Sequence, residues 1–315
     1  MKIGIVSNSD LFIPLAGALA AQQQQVCLFY SPSPDSYINQ KVAQYQRLTS
    51  IVMVEETSDS NNLYDWISTS KLDVCFIIGY KRLIDTSKFK NLATQFFNIH
   101  FGPLPAYKGP TPIFWQLKHG EKKLGLAIHK LTSKYDEGPV VWRKSIDSQK
   151  HYSYKYVEQL FSTICVEGVF FILNMLYQRI PILELASTGA CSHHAKPSMK
   201  DVQIRWEEMD ATEICNLVQA CNPWNKGALT FYNGQEVKLM DAQIASKIEK
   251  GTSPGQIVSL DGKLTISCSN CECIETSMIF FADSYIPANN LKYFGIKKEA
   301  SFSSLIQETF VKQVL

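Results

Sequence analysis

The chain has 315 residues, room for about two domains at roughly 150 residues each. Hydrophobic residues make up 45% and charged residues 19%, a globular balance that argues against a disordered or fibrous chain. The 31 Lys and Arg against 29 Asp and Glu give a net charge of +2, which excludes a strong overall field for wrapping nucleic acid and leaves only a local basic patch.

The opening run 3–6 is rich in β-branched residues and reads as a strand. It lacks the cationic flank, apolar stretch and cleavage site of a signal peptide. Ser7, Asn8, Ser9 and Asp10 then offer capping groups to an apolar helical stretch at 11–21. The polar run 22–25 reads as a solvated helix end. Runs 26–30 and 51–54 are further strand candidates, and 62–69 has helical spacing. The run 74–78 is continuously apolar, as a strand buried on both faces requires, and 96–100 is another strand. Strands alternating with helices predict an α/β fold, a Rossmann-like, mostly parallel sheet covered by helices.

The pattern changes after a long helical stretch at 154–177. No apolar run is expected to approach the roughly 20 residues of a bilayer span. Pro181, Gly189 and the segment 192–197 have loop chemistry. Residues 211–220 read as a helix with Ile214, Leu217 and Val218 on one face. Short strands separated by Asn233-Gly234, Pro254-Gly255 and Asp261-Gly262 follow, the pattern of a small β-barrel or sandwich. The division expected is an N-terminal domain over 1–190, a linker over 191–204 and a smaller C-terminal β-domain over 205–315. Nine cysteines, an odd number scattered over the chain, predict reduced thiols and a cytoplasmic setting.

The segment richest in chemistry is Asn98-Ile99-His100, followed by Gly102, Pro103, Leu104, Pro105, Tyr107, Lys108 and Gly109. On a strand, residues two apart share a face, so Asn98 and His100 project together. An amide that donates to an oxyanion beside an imidazole that moves a proton suits acyl transfer. The proline-rich segment after His100 is a stiff loop able to wall a pocket at the carboxyl end of the sheet. Further on, Lys134-Tyr135-Asp136-Glu137-Gly138-Pro139 reads as an acidic turn leading into a strand. A carboxylate reaching His100 orients the ring and favours its protonated form. The blander reading is a buried Asn-His pair satisfied at a strand end.

Asn98-Ile99-His100, then Leu104-Pro105 and Gly109, then Asp136 and Gly138, resemble the 10-formyltetrahydrofolate-dependent formyltransferases. The resemblance runs from Met1 to about Tyr177 and implies Asn98, His100 and Asp136 as the catalytic triad. It implies that Lys81, Arg82, Leu83 and Ile84 line the pterin pocket, with Tyr135, Asp136, Glu137, Gly138 and Pro139 as its other wall. The cosubstrate implied is 10-formyltetrahydrofolate, and no metal is required. The joint at Lys196-Pro197 and Ile204-Arg205-Trp206, and the turns at Asn222-Pro223-Trp224, Gly227-Ala228 and Pro254-Gly255, resemble the C-terminal open β-barrel of methionyl-tRNA formyltransferases.

Two departures bear on detail. Many family members carry Ser where this chain has Gly102. The tRNA enzymes also carry a basic insertion after the second strand, whereas 31–46 here contains Asp35 and Lys41 and no cationic cluster. The segment Tyr80-Lys81-Arg82-Leu83-Ile84 looks more like that of amino-sugar formyltransferases. The expected acceptor is therefore a small-molecule amine such as an aminodeoxysugar nucleotide, with methionyl-tRNA as the rival. Lys247, Lys250, Lys292, Lys297 and Lys298 are a candidate basic patch for the rival, although scattered lysines usually form a solvated face. A formyltetrahydrofolate hydrolase is less favoured, because Met1 already opens the sheet and no regulatory domain is expected ahead of it. A non-catalytic folate-binding module is less favoured because all three triad types are present. A homodimer through an exposed strand edge or barrel face is compatible with the pattern.

Three further features have bland readings. Gly4 stands alone in the first strand-turn, so the dinucleotide motif G-x-G-x-x-G is missing. Cys268, Cys271 and Cys273, with Cys191, His193 and His194 as distant partners, lack the second C-x-x-C of a zinc site, and Ser269-Asn270 reads as a hairpin turn. His129, on a strand near Asp136 in sequence, and Phe114 and Trp115, after the proline loop, read as packing residues.

Overall fold

The computed structural model describes residues 1–49, 51–58, 62–89, 91–186, 189–246 and 251–304. Lys247 and Lys250 of the candidate basic patch lie outside the described residues. The chain separates into two compact units. One comprises Met1–Pro112, Lys123–Asp147 and Glu158–Ala195, the other Ile113–Lys122, Ser148–Val157 and Lys196–Leu315.

The first unit is built on a seven-stranded sheet in the order β3-β2-β1-β4-β5-β6-β7. Its members are β1 (Lys2–Ser7), β2 (Gln25–Tyr30), β3 (Val52–Glu55), β4 (Val74–Ile78), β5 (Gln95–His100), β6 (Lys123–Lys130) and β7 (Val140–Asp147). The five strands from β3 to β5 are parallel, and β6 and β7 are antiparallel additions. All five residues of β4 are buried, as its unbroken apolar run predicts for a central strand. Around the sheet come α1 (Ile13–Ala21), α2 (Ser36–Thr49) and α3 (Asn62–Ser70). Ser9 accepts from the Leu11 N–H and caps the turn that leads into α1.

Helix α2 has no counterpart in the sequence reading. It is polar, with Val42 its one fully buried side chain, so its apolar periodicity is faint. Tertiary contacts stabilise it: Lys41 pairs with Asp10 at 3.1 Å, and Tyr45 packs edge-on against Phe12.

Helices α4 (Pro112–Lys118) and α5 (Tyr154–Tyr177) follow β5 and β7. The 24-residue α5 corrects the expectation about apolar runs, because it is long and apolar enough to cross a membrane by length and composition. Val157, Phe161, Cys165, Val169 and Ile172 are all fully buried, at the three-to-four-residue spacing of a core-facing stripe. At Gly168 a Cβ would lie 2.5 Å from the Trp142 ring of β7, so the helix crosses the sheet closely there. These are the marks of a core helix of a globular unit.

The second unit carries α6 (Met199–Val202), α7 (Ala211–Cys221) and two four-stranded antiparallel sheets. Ile214, Leu217 and Val218 form the buried face of α7, as their spacing predicts, and Asp210 with Glu213 closes a capping box. One sheet has the order β15-β14-β9-β8, the other β10-β13-β12-β11. These are β8 (Ala228–Tyr232), β9 (Gln235–Leu239), β10 (Gln243–Ile244), β11 (Ile257–Ser259), β12 (Leu264–Ser267), β13 (Cys273–Thr276), β14 (Met278–Phe281) and β15 (Ser284–Pro287). Asn233-Gly234 turns β8 into β9, and Ser269–Cys271 turns β12 into β13, as read from sequence. Trp206 is fully buried, and its indole N–H donates to Thr230 at 2.9 Å.

Candidate active site

Asn98 and His100 occupy the last turn of the pleat in β5 and share a face. Antiparallel β6 places His129 directly opposite Asn98. Asp136 arrives from the turn between β6 and β7, with φ of 53°, a left-handed conformation that Asp tolerates better than most residues. Four side chains from three segments thus converge.

The contacts are specific. Asp136 Oδ1 lies 3.3 Å from His100 Nδ1, 3.4 Å from Asn98 Nδ2 and 3.5 Å from His129 Nε2. Asp136 Oδ2 accepts the Gly109 N–H at 2.9 Å. His100 Nε2 faces the Tyr107 carbonyl oxygen at 2.9 Å. Both ring nitrogens of His100 therefore face oxygens that only accept, an arrangement that the doubly protonated ring satisfies. Burial alone raises the carboxyl pKa of Asp136, but the hydrogen bond from His100, the His100 charge and the Gly109 N–H outweigh it. The net result holds the carboxyl well below the usual carboxylate range.

His129 is 1% exposed and belongs to this network, which corrects its reading as a packing residue. Its Nδ1 lies 2.9 Å from the Lys130 carbonyl oxygen, so Nδ1 carries the proton. Nε2 of the neutral ring then accepts from Asn98 Nδ2 at 3.0 Å. The two N–H groups of Asn98 are thereby aimed at His129 and Asp136. The 3.4 Å contact to Asp136 is the weaker, and its proton is the one a substrate oxygen can recruit. The residue pairing that makes this contact depends on the β5–β6 register, which no local sequence signal encodes.

Gly102 has a physical reason. A Cβ there would lie 2.6 Å from His100 Nε2 and 2.9 Å from Pro112 Cβ. The His100 ring occupies the space where a seryl side chain would sit, and the Tyr107 carbonyl takes its proton.

The loop carries Pro103, Leu104, Pro105, Tyr107, Lys108 and Gly109, with Leu104 and Tyr107 buried. The structure places Lys81, Arg82 and Leu83 on the surface and Ile84 in the core with Leu63 and Phe89. Arg82 pairs with the buried Glu56 at 3.2 Å, and the Tyr80 hydroxyl donates to the same carboxylate at 2.7 Å. Arg82 and Leu83 border a cavity of about 290 Å³ with Tyr64, Tyr80 and Lys88. Residues 136–139 are not part of its lining. Tyr135 and Glu137 are exposed, Glu137 pairing with Lys134 at 3.3 Å, and the Pro139 carbonyl accepts the Lys130 N–H at 2.9 Å. Among the described residues, no group of three or more His, Cys, Asp or Glu is arranged to hold a metal ion.

An amide, an imidazole and a carboxylate gathered at the carboxyl end of an open, mostly parallel sheet are suited to acyl transfer. A family model described as formyl transferase matches residues 3–168, and one described as the formyl transferase C-terminal domain matches 197–282. The chain belongs to the formyl transferase family of one-carbon-transferring enzymes.

A methionyl-tRNA formyltransferase of Orientia tsutsugamushi is 24% identical over 278 residues, covering 85% of this chain and 88% of that protein. The bifunctional polymyxin resistance protein ArnA of Wigglesworthia glossinidia brevipalpis is 30% identical over 215 residues. That match covers 66% of this chain and only 32% of ArnA, so this chain spans about a third of that relative. Among solved structures, an N-formyltransferase of Helicobacter canadensis, in complex with folinic acid and dTDP-3-aminofucose, superposes with a TM-score of 0.70. It is 13% identical and covers 88% of this chain and 98% of that one. HypX from Aquifex aeolicus, in complex with tetrahydrofolic acid, gives a TM-score of 0.66 at 18% identity, covering 92% of this chain and 46% of that one. At these identities the structural likenesses carry the fold.

Proposed function

We propose that the protein transfers the formyl group of 10-formyltetrahydrofolate to a primary amine of a small molecule, an aminodeoxysugar nucleotide, giving a formamide and tetrahydrofolate. The observation that carries this reading is the set Asn98, His100 and Asp136 linked around one carboxylate at the end of β5. Family membership supports a folate donor. The site residues suit it: the weakly held Asn98 N–H is a donor for an oxygen that gains negative charge, and His100 stands on the same strand face. The neutral amine of the acceptor attacks the formyl carbon. His100 moves a proton between the reacting groups, and Asp136 orients its ring and stabilises its charge. Arg82 and Leu83, which border the cavity beside Tyr80, are the proposed wall of the pterin pocket.

The small-molecule acceptor is supported by α2. Its segment offers Lys41 and Arg47, and Lys41 is already paired with Asp10, so no cationic cluster stands there for phosphates. A tRNA acceptor is favoured by the match to the C-terminal domain and by the coverage of the Orientia relative. Lys292, Lys297 and Lys298 are exposed in the second unit. The odd number of cysteines scattered over the chain supports a reducing, cytoplasmic setting. Tetrahydrofolate release is to be measured with donor alone, with aminosugar nucleotides and with methionyl-initiator tRNA. Release that requires the sugar pool is the expected result. Release that requires the tRNA transfers the assignment to the second reading, and release with donor alone means a hydrolase.

A further inference from the structure

The groups that hold His100 and Asp136 are backbone groups of one short loop. The Tyr107 carbonyl faces His100 Nε2, and the Gly109 N–H donates to Asp136 Oδ2, each at 2.9 Å. Tyr107 adopts φ of 57°, a left-handed conformation that a bulky residue keeps only where its surroundings impose it. One partner for that conformation lies outside the loop. The partner comes from far along the chain, in the segment read from sequence as linker.

Residues 192–194 lie beside the loop as a parallel bridge between Lys108 and His193. The Lys108 N–H donates to the Ser192 carbonyl, and the His194 N–H donates to the Lys108 carbonyl, both at 2.9 Å. The Ser192 hydroxyl accepts the Tyr107 N–H at 2.9 Å and lies 3.2 Å from His194 Nε2. The rings of Tyr107 and His194 stack at 5.1 Å with 18° between their planes. A Cβ at position 109 would lie 2.1 Å from the His194 carbonyl oxygen, so only glycine lets the strap close on the loop. Gly109 also takes φ of 114°, which other residues avoid.

We infer that the 192–194 segment is a positioning strap for the reaction, with the Ser192 hydroxyl setting the Tyr107 and Gly109 backbone groups that orient His100 and Asp136. The inference rests on the assignment of His100 and Asp136 as reacting groups. Ser192 itself contacts neither side chain; it acts through the loop.

The test compares wild type with Ser192→Ala and Ser192→Thr in two measurements. In the first, 10-formyltetrahydrofolate turnover is followed with dTDP-3-aminofucose and, in parallel, with methionyl-initiator tRNA. On the acceptor that supports turnover, Ser192→Ala lowers kcat about tenfold and leaves the acceptor KM within about twofold. That is the signature of misplaced reacting groups, where a shift of about 1 Å can cost up to about 100-fold. Ser192→Thr, which keeps the hydroxyl, recovers most of the loss. In the second, amide exchange of Lys108 and Gly109 rises at least about tenfold in Ser192→Ala, while the amides of β1 and β4 exchange as in wild type.

Unchanged exchange at Lys108 and Gly109 overturns the inference whatever the acceptor. So does a kcat within about twofold of wild type, a loss confined to KM, or a threonine variant no better than alanine. A His100→Asn control separates the two layers. Turnover that survives His100→Asn refutes the triad assignment, whereas a dead His100→Asn beside a normal Ser192→Ala refutes the strap alone.

Discussion

Asp136→Asn separates a carboxylate that takes part in the reaction from one that only braces the loop. The amide keeps an oxygen for the Gly109 N–H, the 2.9 Å bond to Oδ2. What it loses is the charge opposite His100 Nδ1 at 3.3 Å. A hydrogen bond to a charged group is worth about 1.5–3 kcal/mol and a neutral one about 0.5–1.5, so the folding cost is about 1–2 kcal/mol. For a unit of this size that is a fall in Tm of roughly 2–8 °C. The catalytic cost is expected to be larger. Losing the group that orients a general acid or base lowers turnover about 10²- to 10⁴-fold, or about 3–5 kcal/mol of barrier.

Steady-state turnover and thermal unfolding of the same preparations give both numbers. A kcat within about tenfold of wild type would match the structural cost alone and refute the role given to Asp136. The pH dependence has a definite sign. The folded carboxyl titrates below its unfolded value of about 3.9, so its contribution is complete above about pH 5 and is lost as pH falls through the lower, folded value. Denaturant titrations of wild type and Asp136→Asn should therefore converge as pH falls below about 5. A gap that persists undiminished at low pH contradicts the ionised carboxylate.

Three other outcomes are expected. Gly102→Ala sets a Cβ 2.6 Å from His100 Nε2. Overpacking should cost about 1–3 kcal/mol of stability, and the displaced ring should cost roughly 10- to 100-fold in kcat, so activity within threefold of wild type counts against the ring position. His129→Phe keeps the volume of a residue only 1% exposed but leaves the Asn98 N–H without its 3.0 Å acceptor. A stability loss of about 1–3 kcal/mol by chemical denaturation and a kcat drop of about tenfold are expected, and an unchanged kcat would return His129 to a packing role. Thiol labelling of the native protein should modify Cys191 and Cys271 rapidly, since both are exposed. Cys165, Cys221 and Cys268, whose thiols burial pushes up to about 12, should react only on unfolding, and rapid labelling of any of these would contradict the packing described.

The sequence by itself determined the elements whose burial is complete or periodic. The unbroken run of β4 had to be a central strand, and the spacing of Ile214, Leu217 and Val218 had to form one helix face. It also put Asn98 and His100 on one strand face and an acid in the turn before β7. Helix α2 was illegible because its stability comes from Asp10 and Phe12 and not from an apolar stripe of its own. Tertiary structure alone decided the partners of these side chains. His129 meets Asn98 through the antiparallel register of β5 and β6, which is set by packing of whole strands. Ser192 meets Tyr107 across 85 residues of chain, a closure that no local propensity can report.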